Sequence, residues 1–389
     1  MNSVAETALK AAARFWFLVA VIGQWAFMFY LVAFYGPSTF TGNFQAWTRN
    51  TMLFKGYVVG DTLGNLAFAG HALLAAVIAF GGTLQLIPQI RARAISVHRW
   101  IGRVFMVTAL GLSVSGLYME WVRGARINMT NALATSLNAV LIIAFVGLAW
   151  RAARSHQIAT HRRWALRTYL VANAQWFTRV GVFAWILVNQ GPVGIGAKFD
   201  GPVMVFMEFG CYLVPLAVLE LYLRAKENPA PRGRLAMAGG LVVLTLLMAV
   251  GIGGVATAAW LPAVKAAYDP RTSIADTLSA TIASTGIDQA TRQYHDLKAA
   301  GPATYNFDER ELNKLGYRLI EAGKLKEAIR VLQLNVEAYP QSSNVYDSLA
   351  EAYMDDGNKP EAIANYRKSL RLDPRNHGAL EILKKLNAL

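Results

Sequence analysis

The sequence contains few charged residues and almost no cysteine. Of its 389 residues 16% are charged and 54% are hydrophobic, which is too little charge for the surface of a water-soluble protein. The single cysteine, Cys211, excludes an intrachain disulfide and therefore a disulfide-rich scaffold. The hydrophobic content excludes a chain that is mainly disordered. A membrane protein is the class that remains.

Acidic residues are scarce in only one part of the chain. Residues 1–261 contain 21 Lys and Arg but 7 Asp and Glu, whereas residues 262–389 contain 17 of each. The net charge of +14 therefore belongs entirely to the first part. We predict a transmembrane domain over residues 1–261 and a soluble domain after it. The basic excess is explained by membrane topology, and no nucleic-acid partner is predicted.

Seven apolar runs are long enough to cross a bilayer, whose core of about 30 Å requires about 20 apolar residues in a helix. The runs cover residues 15–35, 65–87, 100–119, 132–150, 164–188, 203–223 and 235–260. They predict an all-α fold, a polytopic transmembrane helical bundle of about seven spans. In the last run, the glycines between Val250 and Gly254 are interpreted as a site of close helix packing.

Basic residues in the connections predict the orientation of the bundle. The N-terminus and the second, fourth and sixth connections carry fifteen Lys and Arg, whereas the other connections carry five. The five are Arg49, Lys55, Arg123, Arg126 and Lys198. Because cytoplasmic connections hold the excess of positive charge, we predict a bacterial inner-membrane protein with a cytoplasmic N-terminus. Seven spans then place the soluble domain outside, and membrane lipids are the expected surroundings.

The soluble part repeats itself at a spacing of 34 residues. The residues that pair at this spacing are Gly323 with Gly357, Ala328 with Ala362, and Pro340 with Pro374. This pattern resembles the tetratricopeptide repeat, a pair of antiparallel helices packed through small residues. The resemblance implies two repeats and a capping helix (378–386) over residues 309–389. Residues 262–308 are predicted to form a linker that includes an irregular helix pair (274–297), because two repeats alone are marginally stable.

Such repeats imply a protein or peptide partner, bound in the concave face that the first helix of each repeat lines. The residues predicted to lie there are Asn313, Tyr317, Ile320, Asp347, Glu351 and Met354. The two carboxylates would repel a C-terminal carboxylate of a partner. A structural spacer or a dimerisation element is the alternative for so short an array.

Four polar side chains fall at similar depth in four different runs. At 1.5 Å per residue they lie about 8 to 14 Å below the predicted outer surface. They are His71, Asn138, Arg179 and Glu208. One hypothesis is an outward-opening polar pocket in which Glu208 neutralises Arg179 and His71 titrates. The alternative is an Arg-Glu pair that only orders the bundle.

A second polar group lies at the predicted inner ends of two runs. The segments HRWIGR and HRRWALR each open a run that starts inside. They contain His98, Arg99, Arg103, His161, Arg162 and Arg167. With His71 in the run before them, these segments resemble the bacterial membrane-protein family called domain of unknown function 2306, over about residues 65–225. The family name implies no activity. Glu220 is expected to pair with Arg103 or Arg167.

The matching depth of His98 and His161 raises the alternative of a b-type haem, with room for the macrocycle beside Gly81, Gly82 and Gly102. Binding of lipid phosphate, or capping of the helix starts, is the other explanation of these residues. No zinc-type spacing of Cys and His occurs, so no metal other than haem iron is considered. No catalytic residues are predicted.

Three functions are therefore compared. The first is a non-enzymatic membrane protein of unknown activity that anchors the repeat module. The second is a haem- or quinone-linked membrane oxidoreductase that uses His98 and His161. The third is a small-solute transporter that uses His71, Arg179 and Glu208, and the absence of an evident inverted repeat disfavours it.

Overall fold

The computed structural model describes residues 2–49, 56–196, 199–228, 230–301 and 303–388. Lys55, Lys198 and the side chain of Arg49, which enter the charge count above, lie outside the described parts. The chain divides into two compact units. One comprises Met1–Asn189 with Gly194–Ala267, and the other comprises Gln190–Val193 with Tyr268–Leu389.

The first unit is helical throughout its spans. Its helices are α1 (Asn2–Thr41), α2 (Thr62–Leu86), α3 (Pro88–Arg93), α4 (Ile95–Trp121), α5 (Met129–Arg154), α6 (Ile158–Ala172), α7 (Ala174–Val188), α8 (Pro202–Glu227), α9 (Pro231–Val255) and α10 (Leu261–Ala267). A 3-10 helix, Phe44–Arg49, follows α1, and a π-helical turn, Ala256–Trp260, joins α9 to α10. Within the described residues, six helices are long and apolar enough to cross a membrane, and α6 with α7 forms a seventh, bent candidate. The predicted class, an α-helical bundle of about seven spans followed by repeats, is confirmed.

A break separates α6 from α7, and the apolar run 164–188 does not predict it. The axes of α6 and α7 differ by 56°. The side chain of Asn173 donates from Nδ2 to the carbonyl oxygen of Tyr169 at 2.8 Å, so it competes for an acceptor of the helix backbone. Two fifteen-residue helices joined at this angle still span about 40 Å, more than the bilayer core.

Contacts with α8 show that α6 and α7 together return the chain across the bundle. Asn128, before α5, donates to the carbonyl oxygen of Phe199, before α8, at 3.2 Å, so α5 and α8 begin at the same end. At the other end, Arg167 of α6 pairs with Glu220 of α8 at 2.7 Å. Since α6 begins where α5 ends and the chain then returns to the start of α8, the bent pair crosses the bundle. The Arg167–Glu220 pair also confirms one of the two pairings expected for Glu220.

The first and last long helices run parallel. Glu6 lies 3.9 Å from Arg234 near the starts of α1 and α9. Further along α1, Tyr30 stacks on Trp260 in the π-helical turn that follows α9, with ring centroids 6.0 Å apart. An odd number of crossings follows from this arrangement. We call the end of the bundle at which α1, α4, α6 and α9 begin the basic end, because the connections predicted to be cytoplasmic lie there.

The second unit is a stack of helix pairs. Its elements are β1 (Thr272–Ser273), α11 (Ile274–Thr285), α12 (Ile287–Ala299), β2 (Tyr305–Asn306), α13 (Glu309–Glu321), α14 (Leu325–Ala338), α15 (Ser343–Asp355), α16 (Lys359–Leu372) and α17 (His377–Lys385). The strands β1 and β2 pair in parallel, which is a small departure from an all-α chain. Helices α11 and α12 occupy the segment for which an irregular pair is expected. Their Leu278 and Tyr294 share one core with Leu312 and Leu334 of the next pair.

The repeat residues have the packing roles expected of small and bulky positions. A Cβ built on Gly316 of α13 would lie 2.6 Å from a methyl group of Leu332 in α14, so only glycine permits this approach. At the equivalent positions 34 residues later, Ala350 and Tyr366 are buried in one core. Gly323 and Gly357 end the first helices with φ of +73° and +80°, a conformation that glycine adopts without strain.

Candidate functional site

The concave-face residues of the first and second repeat meet in the structure. Tyr317 of α13 donates its hydroxyl to the Glu351 carboxylate of α15, and the same hydroxyl lies 3.3 Å from Ser348 Oγ. These helices are the first of their repeats, so the 34-residue register places Tyr317 and Glu351 beside one another. A polar contact across neighbouring repeats thus lines this face.

Asp347, one turn before Glu351 on α15, is held by the loop that precedes the capping helix. Asn376 donates from Nδ2 to Asp347 Oδ1 at 2.8 Å, and its Oδ1 accepts the backbone N–H of Ala379 at 3.1 Å. One amide therefore caps α17 and orients the carboxylate. Asn376 was not predicted as part of this face because it lies outside the repeat alignment, although an asparagine before a helix is a recognisable cap.

The two carboxylates lie in a setting that disfavours their negative charge. Burial raises the pKa of Glu351 to about 7, and the neighbouring Asp347 contributes in the same direction. Burial also raises the pKa of Asp347, against the hydrogen bond from Asn376. Burial and the nearby carboxylates raise the pKa of Tyr317. Neither carboxylate forms an ion pair within the described part of the chain, so this face favours a cation.

The other residues predicted on the concave face have different surroundings. Asn313 of α13 has a buried side-chain oxygen with no hydrogen-bond partner among the described residues. Ile320 and Met354 are half-buried and pack against hydrophobic cores of the array. These three side chains add an amide and two apolar surfaces to the acidic centre formed by Asp347 and Glu351.

The predicted outer polar layer separates into two groups. His71 of α2 and Ser115 of α4 form a hydrogen bond of 2.9 Å, and Arg179 of α7 lies within electrostatic range of His71. Arg179 itself donates to the carbonyl oxygen of Gln175 at 2.7 Å and lies over the ring of Phe27, 5.6 Å from its centroid. This group contains a histidine and an arginine but no carboxylate.

The expected neutralisation of Arg179 by Glu208 is wrong. Glu208 is 6% exposed, and its charged neighbour is Glu120 at the end of α4, with Asn131 of α5 beside it. Equal depth placed Arg179 and Glu208 in one layer, but rotation about α7 and α8 directs them to different parts of the bundle. Asn138 has a buried oxygen without a hydrogen-bond partner among the residues described. The transporter hypothesis loses its central ion pair.

Four of the six predicted inner-face residues, His98, Arg99, His161 and Arg162, come together at the basic end. His98 of α4 lies within electrostatic range of His161 of α6, of Arg99 and of Arg91 from α3. His161 Nδ1 is 2.9 Å from the carbonyl oxygen of Ala149, which fixes the orientation of its ring. Arg162 lies within electrostatic range of Arg91.

Arg167, which was predicted to lie in the same group, pairs instead with Glu220 and stacks over Trp164, with its guanidinium carbon 4.6 Å from the ring centroid. Arg103, also predicted here, is an exposed residue of α4.

Neighbouring side chains fill the space beside two of the glycines that were expected to leave room for haem. A Cβ built on Gly102 would lie 3.1 Å from Gln85 Oε1, and one built on Gly82 would lie 3.0 Å from the rings of Phe105 and Tyr169. Gln85 also donates to the carbonyl oxygen of His98 at 3.0 Å. Gln85, Phe105 and Tyr169 therefore fill the space beside Gly102 and Gly82 and leave no room there for a macrocycle.

Arg123, which the sequence places only among the basic residues of the connections, has a buried side chain at the opposite end of the bundle. Arg123, after α4, donates to Asp61 Oδ2 and to Asn65 Oδ1, each at 2.8 Å. Asp61 in turn caps α2 by accepting the N–H of Gly64 at 2.8 Å, and the hydrogen bond from Arg123 lowers the pKa of its carboxyl. The guanidinium therefore fixes the start of α2 against the end of α4. The signal in the sequence was an Asp in a helix-capping position.

A second unpredicted group lies at the break between α6 and α7. Gln24 of α1 is fully buried, Trp176 of α7 is 1% exposed and Tyr169 of α6 is 3% exposed. Both side-chain amide atoms of Gln24, Trp176 Nε1 and the Tyr169 hydroxyl lack hydrogen-bond partners among the described residues. Gln24 and Tyr169 are neighbours without hydrogen-bond geometry. No sequence signal marks this group, because Gln24 lies in one apolar run whereas Tyr169 and Trp176 lie in another.

These features define a polytopic α-helical membrane unit joined to a tetratricopeptide-like helical array. Residues 68–223 match the family model described as "Predicted membrane protein (DUF2306)", and residues 343–376 match the tetratricopeptide repeat model. Both matches are to the families that the sequence motifs resembled. The first covers nearly the predicted residues, and the second covers the second of the two predicted repeats. No curated protein and no solved structure matches the chain. The first match contains His71, His98, His161, Arg179 and Glu208, so all the polar residues predicted inside the spans fall within that family's segment.

Proposed function

We propose that this protein anchors its repeat array on the outer side of a bacterial inner membrane, where the concave face binds a basic segment of a partner protein. The observation that carries the proposal is the acidic centre formed by Asp347 and Glu351, oriented by Asn376 and Tyr317. The proposal assigns no catalytic residue. The membrane unit acts as the anchor and sets the side on which the array is presented.

The parallel arrangement of α1 and α9 supports the placement of the array. Contacts between Glu6 and Arg234 and between Tyr30 and Trp260 require an odd number of crossings from the first helix to the last. The excess of basic residues at the end where α1 begins favours that end as cytoplasmic. A chain that enters α1 from the cytoplasm and crosses seven times leaves α10 on the outer side.

The chemistry of the concave face supports a basic ligand. A lysine or arginine between Asp347 and Glu351 would relieve the cost of keeping two carboxylates half-buried and close together. The apolar surfaces of Ile320 and Met354 would contact the methylene stem of such a side chain. Arrays of this type recognise extended segments or helices, so the ligand is a peptide stretch and not a free cation.

Binding can be tested with fluorescent peptides on the full chain in detergent. We expect a lysine- and serine-containing peptide to raise anisotropy saturably at pH 8, and a glutamate- and serine-containing peptide of equal length to bind at least about ten-fold more weakly. Asp347→Asn with Glu351→Gln removes the acidic centre. Glu361→Gln with Glu381→Gln removes two exposed carboxylates from α16 and α17 and is the matched control.

The two double variants distinguish the concave face from general charge. Loss of affinity in Asp347→Asn with Glu351→Gln, and unchanged affinity in the control, supports the proposal. Equal losses in both variants, or equal binding of both peptides by the unchanged chain, would mean that the concave face is not the binding site.

The side of the membrane on which the array lies can be tested by cysteine labelling of intact spheroplasts. Cys211 is buried, and Cys211→Ser supplies a background without thiols. On it, Glu361→Cys places one exposed thiol on the array, and Arg93→Cys places one at the basic end. A membrane-impermeant maleimide should label the first in intact inner-membrane spheroplasts and the second only after lysis. The reverse pattern would overturn the proposed orientation.

A further inference from the structure

Three elements place arginine and histidine side chains together at the basic end of the bundle. Arg91 comes from α3, His98 and Arg99 from the first turns of α4, and His161 and Arg162 from the first turn of α6. Arg91 lies within electrostatic range of Arg162, and His98 lies within range of Arg91, Arg99 and His161. We call these five residues the basic cluster. Like charges repel, so the fold holds together groups that do not stabilise one another.

The carboxylates at the same end are already engaged by other basic residues. Glu6 pairs with Lys10 at 2.5 Å, Glu220 pairs with Arg167 at 2.7 Å, and Glu227 pairs with Arg163. Within the described chain, Arg91, Arg99 and Arg162 form no ion pair. Arg162 and Arg163 are adjacent and both exposed, yet only Arg163 has a carboxylate partner. The basic cluster therefore keeps its positive charge free for a ligand.

The starts of two helices add to the attraction for an anion. Helices α4 and α6 both begin here, and the start of a helix carries partial positive charge and free N–H groups. His98 Nδ1 is buried and has no hydrogen-bond partner among the described residues. His161 Nδ1 faces the carbonyl oxygen of Ala149 and therefore carries a proton, so Nε2 donates to an anion only when the ring is protonated. Burial and the neighbouring Arg162 lower the pKa of Arg91, a cost that a bound anion would relieve.

The depth of the basic cluster matches that of phospholipid phosphates. The residues lie at the last polar turns before α4 and α6 enter their apolar stretches, and Trp100, next to Arg99, is 66% exposed. An exposed tryptophan at a span end is typical of the interfacial belt at the level of the headgroups. Arginine is suited to phosphate because its planar guanidinium donates two parallel hydrogen bonds.

We infer that the basic cluster is a specific binding site for one phosphate-bearing anion, with Arg91 and Arg162 as the principal ligands and the two histidines beside them. An anionic phospholipid headgroup and a soluble phosphate compound share this chemistry. The inference is independent of the proposed role of the repeat array, because it concerns the opposite end of the membrane unit and involves no residue of the array.

The first arm of the test is native mass spectrometry of the full-length protein released from detergent. The unchanged chain should retain one anionic phospholipid, and Arg91→Gln with Arg162→Gln should reduce its occupancy by about 30-fold, since each surface arginine contributes about five-fold. Arg162→Gln alone is compared with Arg163→Gln, the matched control, which removes one charge from the adjacent position but from a paired arginine. Arg163→Gln should retain the lipid.

The second arm titrates the delipidated protein with inorganic pyrophosphate by calorimetry. One outcome is that no lipid is retained, and that pyrophosphate binds to the unchanged chain and to Arg163→Gln but not to the double variant. This outcome assigns the site to a soluble phosphate compound. If the unchanged chain and Arg163→Gln retain a lipid that the double variant loses, the site is assigned to a phospholipid headgroup. The inference is overturned if neither ligand binds, or if Arg163→Gln loses as much as the double variant. Elution of each variant as a monodisperse peak verifies folding, and Arg99→Gln serves as a second variant if the double one does not fold.

Discussion

Gly251 of α9 faces the backbone carbonyl of Val180 in α7 so closely that a Cβ on the glycine would lie 2.1 Å from that oxygen. No real Cβ occupies such a position, so the two backbones touch only because residue 251 is glycine. Gly254, one turn later, approaches Leu187 in the same way, with a Cβ position 2.7 Å from its methyl group. The interpretation of this glycine run as a site of close helix packing is confirmed.

Replacing Gly251 with alanine should therefore destabilise the membrane unit. The added methyl group forces α7 and α9 apart, and overpacking of this kind costs roughly 1–3 kcal/mol. Gly253 lies on the same helix with nothing within 4 Å of its Cβ position and supplies the control. Thermal unfolding in detergent should show a lower midpoint for Gly251→Ala and an almost unchanged one for Gly253→Ala. Equal midpoints for the two variants would mean that α7 and α9 are not in direct backbone contact.

The buried amide of Gln24 predicts the opposite effect of a substitution. An amide without hydrogen-bond partners in an apolar interior carries its full desolvation cost, so Gln24→Leu should raise stability by about 1 kcal/mol. Gln85→Leu is the matched control, because Gln85 donates to the carbonyl oxygen of His98 and its loss leaves that bond unmade. A melting midpoint that falls in Gln24→Leu would show that the amide has a partner, such as a bound water or ligand.

The class of fold could be predicted from the sequence because local patterns determine each of its parts. Apolar runs report helices that cross a bilayer, and a 34-residue spacing reports stacked helix pairs. The break at Asn173 was not foreseen, because the run from 164 to 188 is apolar on both sides of it and contains no proline. A side-chain hydrogen bond to the carbonyl of Tyr169 accompanies the break, and composition does not encode that bond.

Whether a predicted contact is found in the structure depends on how much of its geometry the sequence determines. Glu220 and Arg167 were expected to pair because they lie near the same membrane surface, and they do. Glu208 and Arg179 were paired on depth alone, but depth gives a height along the bundle and leaves the direction of each side chain open. Tyr317 and Glu351 are neighbours because the repeat fixes both height and direction. A repeat register therefore predicts contacts that hydropathy does not.

An absorption spectrum tests the haem alternative for His98 and His161. We expect the protein purified from cells supplied with haem to show no stoichiometric Soret band, oxidised or reduced with dithionite. The reason is that Gln85, Phe105 and Tyr169 occupy the space beside Gly102 and Gly82 that a macrocycle requires. A b-type spectrum that disappears in His98→Ala or His161→Ala would contradict this expectation and make the protein an electron-transfer protein.

The stability of the repeat array should depend on pH through Glu351. Burial raises its pKa to about 7 in the folded chain, above the ordinary value of 4.5 for a glutamate. Between these values the folded state binds more protons than the unfolded state, so stability falls as the pH rises from about 4.5 to about 7 and then stays low. Glu351→Gln removes the ionisation and should stabilise α15 at pH 8 by an amount on the order of 2 kcal/mol, with little effect at pH 4.5.

Hydrogen exchange of the full chain measures this locally, since the tail contains no tryptophan to report its unfolding. Comparing Glu351→Gln with the unchanged chain at one pH cancels the intrinsic pH dependence of exchange. Peptides from α15 should exchange more slowly in the variant at pH 8, and the difference should shrink as the pH is lowered through 7. Glu361→Gln, an exposed carboxylate on α16, should show no such difference. If the two variants behave alike at both pH values, Glu351 is not held in an environment that penalises its charge, and the acidic centre loses its reason to attract a basic ligand.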